Sequence, residues 1–270
     1  MKCPICQCSM SKLFETAVLG KYPATYFKCP QCEIIKPENP SWLSESYSSA
    51  IAETDVGLVS RNLMNRDLLG PILTLLHPSE GIVLDVGGGY GLLCRLLRDK
   101  GWHCYTIDSY CQNLFASPFE PSGPFKAPTL LAFEVFEHIE NPLEFVHEQI
   151  HRYSPETFVI STLTHAWDVP PLDWWYYAFE TGQHISLYTR KTLEMIAQKI
   201  GWYLFSPSNE MHIFTRTKIG STAQFLLNRK RRLVSRGYRQ YIIWLRRSKS
   251  LMADDYRLIK EKVIQTQSSN

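Results

Sequence analysis

The sequence has no apolar run long enough to span a membrane as a helix. Such a helix needs about 18 or more uninterrupted apolar residues, and polar or charged residues break every apolar stretch of this 270-residue chain well before that length. The first residues, Met1-Lys2-Cys3-Pro4, also have none of the apolar character of a secretion signal. We therefore expect a cytoplasmic protein.

A disulfide framework is not expected either, although the chain has eight cysteines. Such frameworks stabilise small secreted domains, whereas this chain is long enough for a full α/β core and has no secretion signal. We expect reduced thiols, some of them bound to metal. Cys94, Cys104 and Cys111 lie in or beside apolar segments, so we expect them to be small core residues.

Four of the cysteines form two C-P-x-C pairs near the amino terminus. Each pair can turn both thiolates toward one point, and two pairs supply the four ligands of a closed tetrahedral zinc site. About thirty residues bury too little apolar surface to fold alone, so metal binding would provide the folding free energy. We predict a structural zinc ribbon over residues 1–40 and leave Cys8 out of it. The predicted ligands are Cys3, Cys6, Cys29 and Cys32.

Two segments join this ribbon to the main domain. The composition of Lys36 to Ser49, rich in Pro, Ser, Glu and Asn, is typical of a linker in which Trp42 is exposed. Beyond it, apolar residues at helical spacing predict one helix that lies against a sheet and is bent or broken near Gly70-Pro71. These apolar residues are Val56, Val59, Leu63, Leu68, Ile72 and Leu75.

A glycine-rich turn follows a short apolar run. Gly81 to Val86 predicts a buried strand, and the leucines after Gly91 predict a helix that ends at Gly101. Glycines in the turn allow a sharp bend and the approach of backbone N–H groups to a ligand. The next predicted strand, Trp102 to Ile107, ends at Asp108, which is placed to accept hydrogen bonds from ribose hydroxyls. The pattern predicts a nucleoside ligand but does not choose between a dinucleotide and S-adenosylmethionine.

Three motifs resemble those of one enzyme family. "DVGGGYG" at 85–91 resembles the first motif of class I S-adenosylmethionine-dependent methyltransferases. "LLAFEVFEHIENPLEFV" at 130–146 resembles the fourth-strand region, with E-x-x-E-H, of the branch that methylates small molecules and sugars. "TGQHISLYTRKTLEMIAQKIGW" at 181–202 is similar to a late segment of that branch. The resemblance covers roughly residues 55–217 and occurs in the expected order.

This resemblance implies an α/β protein with a doubly wound Rossmann-like methyltransferase sheet at residues 50–217. It also implies roles for individual residues: Asp108 would hold the ribose of S-adenosyl-L-methionine, and Glu134 would face the cofactor. Between 110 and 129 the sequence departs from the family, because Pro and Ser replace the usual helix and third strand, so no adenine ligand is assigned. The residues expected around the cofactor are Asp85, Gly87, Gly88, Gly89, Gly91, Asp108 and Glu134.

Candidate catalytic residues lie where the fourth strand ends and in the late motif. Methyl transfer mainly requires alignment of nucleophile and methyl group, and a base is needed only if the nucleophile must lose a proton. His184 is the leading candidate for this base, because an unperturbed histidine accepts a proton near neutral pH. His138 and Glu134 are further candidates, whereas Glu137 is expected to be a structural partner. The alternative for both histidines is a structural hydrogen bond.

An aromatic segment, residues 166–188, separates these motifs. Aromatic faces with hydroxyl and carboxylate groups between them suit a sugar ring, so we predict a lid over the substrate. Alternatively, the aromatic residues cover an edge of the sheet or form a dimer contact. The predicted substrate residues are Trp174, Trp175, Tyr176 and Tyr177.

The carboxyl-terminal extension, residues 218–270, is basic. Between Arg216 and Lys262 there are 14 Lys and Arg against 3 Asp and Glu, which leaves 15 against 23, or −8, elsewhere. Alternating apolar and basic residues in 225–247 favour amphipathic helices that contact a membrane surface or a lipid-linked substrate. The alternatives are a helix packed on the acidic body and, on charge alone, nucleic acid.

Three functions are compatible with these features. The leading hypothesis is methylation, at oxygen or carbon, of a small molecule such as a sugar or glycan precursor. A second is an RNA methyltransferase with a zinc ribbon, although Asn-Pro-Pro-aromatic is missing at the fourth strand. The third is a non-catalytic zinc-ribbon adaptor, which would not bind S-adenosylmethionine.

Overall fold

The computed structural model describes residues 1–47, 55–77, 81–228 and 249–268. Its first part is a three-stranded antiparallel sheet in the order β1-β2-β3. The paired cysteines precede the first strand and connect the second to the third. The strands are β1 (Ser11–Val18), β2 (Tyr22–Lys28) and β3 (Ile35–Pro37).

The second part is a six-stranded mixed sheet in the order β10-β11-β7-β6-β4-β5, accompanied by a short parallel pair, β8-β9. The strands are β4 (Val83–Val86), β5 (Cys104–Ile107), β6 (Thr129–Ala132), β7 (Thr157–Ser161), β8 (Thr164–His165), β9 (Tyr188–Thr189), β10 (Tyr203–Phe205) and β11 (Met211–Thr215). The helices are α1 (Leu43–Ser46), α2 (Leu58–Leu76), α3 (Leu92–Arg98), α4 (Pro142–Tyr153), α5 (Arg190–Ile200), α6 (Ser221–Leu227) and α7 (Met252–Ser268). Two 3₁₀ turns are Phe136–His138 and Trp175–Tyr177.

Apolar layers cover both faces of the six-stranded sheet. Strands β4 to β7 are parallel, and β11 runs antiparallel to β7. Neighbouring residues in a strand point to opposite faces, so Leu130 packs with α4 and α5 while Leu131 packs with α2 and α3. All residues of β4, β6 and β7 are buried, as expected for strands covered on both sides. The predicted α/β fold with a Rossmann-like sheet is confirmed.

The segment between β5 and β6 contains neither a helix nor a third strand. This agrees with the departure from the family pattern that its Pro and Ser content indicated. The segment nevertheless covers the edge of the sheet, because the Thr106 N–H donates to the carbonyl of Phe119 at 3.0 Å. The guanidinium of Arg98 lies 3.4 Å from the centre of the Phe119 ring and holds this segment against α3.

The helix predicted before the glycine turn is α2, and it lies against the sheet as expected. It continues through Gly70 and Pro71 without a break. In the second half of the predicted apolar face, Ile72 is part of the core on this side of the sheet, and Leu68 and Leu75 pack against it. The first half of that face is exposed instead, since Val56 and Val59 are 96 % and 59 % accessible.

Trp42 is buried rather than exposed. Only 1 % of its surface is accessible, and its indole N–H donates to the carbonyl of Gly182 at 2.8 Å. Gly182 has φ +66°, and a Cβ there would lie 2.7 Å from the Trp42 ring. Polar flanking residues indicated a linker, but the segment packs against the main domain through Trp42.

The amino-terminal sheet shares an apolar core with the main domain. Ile35 and Leu187 exchange backbone hydrogen bonds at 3.1 and 2.9 Å across the two parts. The Thr192 hydroxyl of α5 also donates to the Cys32 carbonyl at 2.7 Å. This core contains Val18, Tyr26, Ile35, Trp42, Trp174, Tyr176, Tyr177, Ile185 and Leu187.

The carboxyl-terminal helix α7 is fixed to α3. Asp255, which is 5 % exposed, accepts hydrogen bonds from Arg95 at 2.7 Å and from Arg98 at 2.6 and 2.9 Å. Most of the amphipathic stretch predicted at 225–247 lies outside the described residues, which do not include 229–248. Among the residues that are described, no helix combines the length and apolar character needed to cross a membrane.

Candidate active site

A cavity of about 960 Å³ lies at the carboxyl ends of β4, β5 and β6. Ligands of open α/β sheets bind at this edge. We name two parts of its lining. The glycine wall consists of Asp85, Gly87, Gly88, Gly89 and Asp108, and the histidine wall consists of Glu134, His138, Trp175 and His184.

The glycines of the turn use their amides within the protein. The N–H groups of Gly87 and Gly88 donate to the Ile107 carbonyl at 2.8 and 3.3 Å, and that of Gly89 donates to Asp108 at 2.9 Å. These three amides are thus paired within the protein, and their approach to a ligand stays a prediction. The turn also provides space next to the end of the strand.

Two of these glycines require the absence of a side chain. A Cβ at Gly88 would lie 2.2 Å from the Thr106 hydroxyl and 2.6 Å from Asp85 Oδ2. Gly89 has φ +57°, and no atom lies within 4 Å of the place where its Cβ would be, so this position faces open space. Gly91 is different, because it caps α3 and packs against Asn113, and it does not line the cavity.

Asp85 is buried without a counter-charge. Its carboxylate is 1 % exposed, and Oδ2 has no hydrogen-bond partner among the described residues. Burial, followed by the nearby Asp108, raises its pKa from an ordinary value of 3.8 to about 7. A buried acceptor of this kind is satisfied when a ligand brings a donor or a positive charge to it.

Asp108 already binds the backbone on two sides. Oδ2 accepts from the N–H of Gly89, and Oδ1 accepts from the N–H groups of Tyr110 and Cys111 at 2.7 and 2.9 Å. Each carboxylate oxygen has further lone-pair capacity, so the residue can still accept from a ligand. Its evident structural effect is to join the glycine turn to the segment after β5.

Glu134 stands directly after β6 in a left-handed conformation, with φ 55°. Its N–H donates to the Ser161 hydroxyl, which in turn donates to Glu134 Oε1, both at 2.7 Å. Oε2 lies 3.9 Å from the Nε of Arg61, which is paired with Asp55 at 2.7 and 2.8 Å. Desolvation of the side chain within the cavity, followed by the negative charge of the neighbouring Glu137, raises the pKa of the Glu134 carboxyl group.

The two histidines lie together, with ring centres 5.1 Å apart. His138 Nδ1 is 3.0 Å from the carbonyl oxygen of Gln183, and His184 Nδ1 is 2.7 Å from that of Tyr176. A carbonyl only accepts, so each Nδ1 carries the proton and each Nε2 keeps a lone pair. Burial and the proximity of His184 lower the pKa of His138 to about 3, which keeps it neutral.

Glu137 approaches the same point, which its expected structural role did not indicate. It is fully buried, Oε1 accepts from the Tyr176 hydroxyl at 2.9 Å, and Oε2 has no partner among the described residues. One ligand atom from each of Glu137, His138 and His184 lies within 4.8 Å of the other two. This set could hold a metal ion.

The predicted lid is divided between the cavity and the core. Trp175 lines the cavity and is 72 % exposed. Trp174, Tyr176 and Tyr177 are buried in the core shared with the amino-terminal sheet. The structure thus favours the alternative, coverage of an edge of the domain, for three of the four predicted substrate residues.

The amino-terminal segment contributes to the cavity, which the sequence did not predict. Leu43, Ser44 and Tyr47 line it, and the Tyr47 ring stacks on Tyr110 at 4.9 Å. The Gln183 side chain donates to the carbonyl of Ser46 at 2.9 Å. Only the aromatic character of Trp42 and Tyr47 distinguished this segment from an ordinary linker.

The four paired cysteines form a second group of possible metal ligands. Their sulfurs lie within 4.8 Å of one another, with the Cys3–Cys32 and Cys6–Cys29 pairs at 3.4 and 3.3 Å. Tetrahedral Zn–S bonds of about 2.3 Å place sulfurs about 3.8 Å apart, so the group has a suitable size. Cys8 lies 3.2 Å from both Cys6 and Cys29, beside this group.

Residues 61–206, more than half of the chain, match the methyltransferase domain family. The fold is similar to that of magnesium protoporphyrin IX methyltransferase from Synechocystis PCC 6803, at 14 % identity over 66 % of this chain and 93 % of that chain, with a TM-score of 0.41. A plantazolicin methyltransferase aligns at 14 % identity over 66 % and 93 %, with a TM-score of 0.47. An O-methyltransferase family protein from Burkholderia thailandensis aligns at 14 % over 67 % and 68 %, with a TM-score of 0.42. No curated protein matches the sequence.

Proposed function

The chain belongs to the methyltransferase domain family, and from this premise we propose that it methylates a small molecule, a sugar or glycan precursor, with S-adenosyl-L-methionine as donor. One observation carries the proposal. A single cavity joins Asp85, whose buried Oδ2 has no hydrogen-bond partner among the described residues, to a histidine lone pair at His184. The first feature suits a cationic nucleoside, and the second suits a hydroxyl group.

The glycine wall would hold the donor. Asp85 is suited to its ammonium group, because no described residue donates a hydrogen bond to the buried Oδ2. A Cβ at Gly88 would collide with Thr106 and Asp85, and a Cβ at Gly89 would enter the open space beside the turn. Asp108 would accept from a ribose hydroxyl with its remaining lone pairs. When bound, the donor supplies a methyl group on a positively charged sulfur.

The histidine wall would position the acceptor. His184 Nε2 would accept a hydrogen bond from the acceptor hydroxyl and, in the simplest arrangement, its proton. Trp175 would offer an apolar face to a sugar ring. Glu134 is fixed by Ser161 and adds negative charge beside Arg61.

We also propose that Cys3, Cys6, Cys29 and Cys32 bind one structural zinc ion, with domains at 1–40, 50–217 and 218–270. The grouping of four sulfurs supports the zinc site. Metal analysis of the purified protein tests it, with about one zinc per chain expected. A protein with full structure and no zinc would contradict it.

Two measurements test the function. Calorimetry with S-adenosyl-L-methionine should show one site per chain, and absence of binding would favour a non-catalytic adaptor. Incubation with donor labelled on its methyl group and with a fractionated cell extract should then place label in a small molecule or a glycan precursor. Label found in RNA would instead favour the second hypothesis, and label at a membrane-bound glycan would support a peripheral role for the extension.

A further inference from the structure

The group formed by Glu137, His138 and His184 has the spacing of a metal site. Its three ligand atoms lie within 4.8 Å of one another. Both histidines line the cavity, so the group opens toward the space in which an acceptor would bind. By contrast, the four-cysteine group is mostly buried and has four ligands of its own.

The two imidazoles are held in the form that metals require. Each Nδ1–H donates to a backbone carbonyl, from Gln183 for His138 and from Tyr176 for His184, and this leaves both Nε2 lone pairs available. Histidines that bind metals almost always donate their other N–H in this way, which fixes the ring orientation.

Glu137 provides the independent evidence. Its side chain is fully buried, Oε1 accepts from the Tyr176 hydroxyl, and Oε2 is buried without a partner among the described residues. A buried carboxylate oxygen with no donor costs several kcal/mol unless a cation or proton satisfies it. In metal sites, ligating carboxylates are themselves hydrogen-bonded by outer groups, as Oε1 is here.

We propose that Glu137, His138 and His184 bind a divalent transition-metal cation whose open coordination positions face the cavity. Two imidazoles favour a first-row transition metal over Mg²⁺ and Ca²⁺, which prefer oxygen ligands. Two histidines and one carboxylate leave positions for exogenous oxygen ligands, as in catalytic rather than structural sites.

This inference rests on the proposed methyl transfer and identifies the acceptor class as a compound with a hydroxyl oxygen that binds the cation. With a cation bound, the Nε2 lone pair of His184 would be used in the metal bond, so the O–H proton would pass to a water molecule rather than to His184. The new O–CH₃ bond forms as the S–CH₃ bond of the donor breaks. The products are a methyl ether and S-adenosylhomocysteine, and the metal keeps its oxidation state.

Mn²⁺ titration of the full chain tests the site without any acceptor. One equivalent of zinc per chain is added first and unbound zinc is removed, so that the four-thiolate group, which binds zinc more tightly, is occupied and the group of Glu137, His138 and His184 stays open to Mn²⁺. The paramagnetic resonance signal of free Mn²⁺ should report one bound ion per chain. His184→Ala should weaken binding at least tenfold, because even the loss of outer-shell partners costs roughly 10- to 100-fold.

The matched control is His147→Ala, which removes an exposed histidine from α4 and should bind Mn²⁺ as the original protein does. Glu137→Gln should weaken binding as strongly as His184→Ala. If Glu137→Gln does not fold, the affinity of His184→Ala for Mn²⁺ is the deciding measurement, because the His184 side chain lies at the cavity surface. No uptake of Mn²⁺ by the original protein, or equal affinity in His184→Ala, overturns the proposal.

Failure of this inference can be separated from failure of the proposed function. Donor binding is measured by calorimetry on the same sample without Mn²⁺. Donor binding without Mn²⁺ uptake overturns the metal site alone. Absence of donor binding overturns the methyl-transfer function whatever the result with Mn²⁺.

Discussion

The two walls of the cavity differ in how far apart their residues lie in the chain. The glycine wall comes from 85–89 and from Asp108, two adjacent strand ends of one β-α-β unit. The histidine wall combines the end of β6 with residues 175–184. The amino-terminal segment holds residues 175–184 in place, because Trp42 donates to the Gly182 carbonyl and Gln183 donates to the Ser46 carbonyl. The first wall is a property of one unit of the fold, whereas the second depends on packing between two parts of the molecule.

The largest expected effect comes from removal of the proposed amino-terminal zinc. Cys29→Ser should abolish zinc binding and disorder residues 1–47, because structural zinc contributes roughly 10 kcal/mol or more in small modules. The core shared with the main domain should then be exposed and part of the protein should aggregate, whereas the fraction that stays monomeric should lose the histidine wall and keep its affinity for S-adenosyl-L-methionine within about threefold. Metal analysis and calorimetry measure the two effects, and Cys8→Ser is the control expected to keep zinc. Loss of donor binding together with zinc would contradict the independence of the walls.

A second effect concerns the pH dependence of stability. The pKa of Asp85 is raised to about 7 in the folded protein, so the folded state binds this proton more tightly than the unfolded state. The free energy of unfolding without donor should therefore fall as the pH rises from about 4 to 7, by a contribution on the order of 4 kcal/mol. Asp85→Asn should remove this contribution. Urea unfolding of both proteins at pH 5 and pH 8 measures the difference, and equal pH profiles would contradict it.

Donor binding by Asp85→Asn gives the third prediction. The substitution replaces a charged hydrogen bond worth about 1.5–3 kcal/mol, so affinity for S-adenosyl-L-methionine should fall roughly 10- to 100-fold. The variant is thus expected to be more stable at pH 8 but weaker in binding. Calorimetry measures the loss, with Asp99→Asn as a control outside the cavity. Unchanged affinity in Asp85→Asn would exclude it from the donor site.

Trp42→Phe tests the histidine wall by a smaller change. The indole N–H no longer satisfies the Gly182 carbonyl, and the loss of one buried hydrogen bond should cost about 1–3 kcal/mol of stability. His184 lies two residues after Gly182, so the imidazole NMR signals of His184 should shift. The affinity for S-adenosyl-L-methionine should stay constant. Signals that stay unchanged would show that the amino-terminal segment does not position this wall.

The smallest effect on stability is expected for Trp175→Ala. The side chain is 72 % exposed, so the free energy of unfolding should change by less than about 0.5 kcal/mol. Methyl transfer into the acceptor fraction of a cell extract should nevertheless require a higher concentration of that fraction. The buried neighbour gives the contrast, because Tyr177→Ala should destabilise the fold by roughly 3–5 kcal/mol.

The sequence predicted the glycine wall better than the histidine wall. The strand, glycine turn and helix at 81–98 were predictable because short-range patterns determine them, and so were α4 after Asn141-Pro142 and α5 between Thr189 and Gly201. The capping box of α5, in which Thr189 and Thr192 bond each other's backbone, is a local feature of this type.

Long-range packing was not predictable from these patterns. The exposure of Val59 at the start of α2, the burial of Trp42 and the division of the aromatic segment all depend on which surfaces pack against each other. The acceptors of the amides in the glycine turn, Ile107 and Asp108, likewise come from the adjacent strand and its end. Glu137 was expected to be structural, and only the three-dimensional arrangement shows its unpaired oxygen beside two histidines.

The apolar core shared by the two sheets has a practical consequence for dissecting the protein. A chain shortened to begin after residue 47 would lose the surfaces that cover Tyr177, Ile185 and Leu187, all now at most 1 % accessible. Exposed to water as one apolar patch, these side chains would drive self-association. Truncation at this boundary should therefore yield aggregates, and co-expression of the missing piece as a separate polypeptide is the natural rescue.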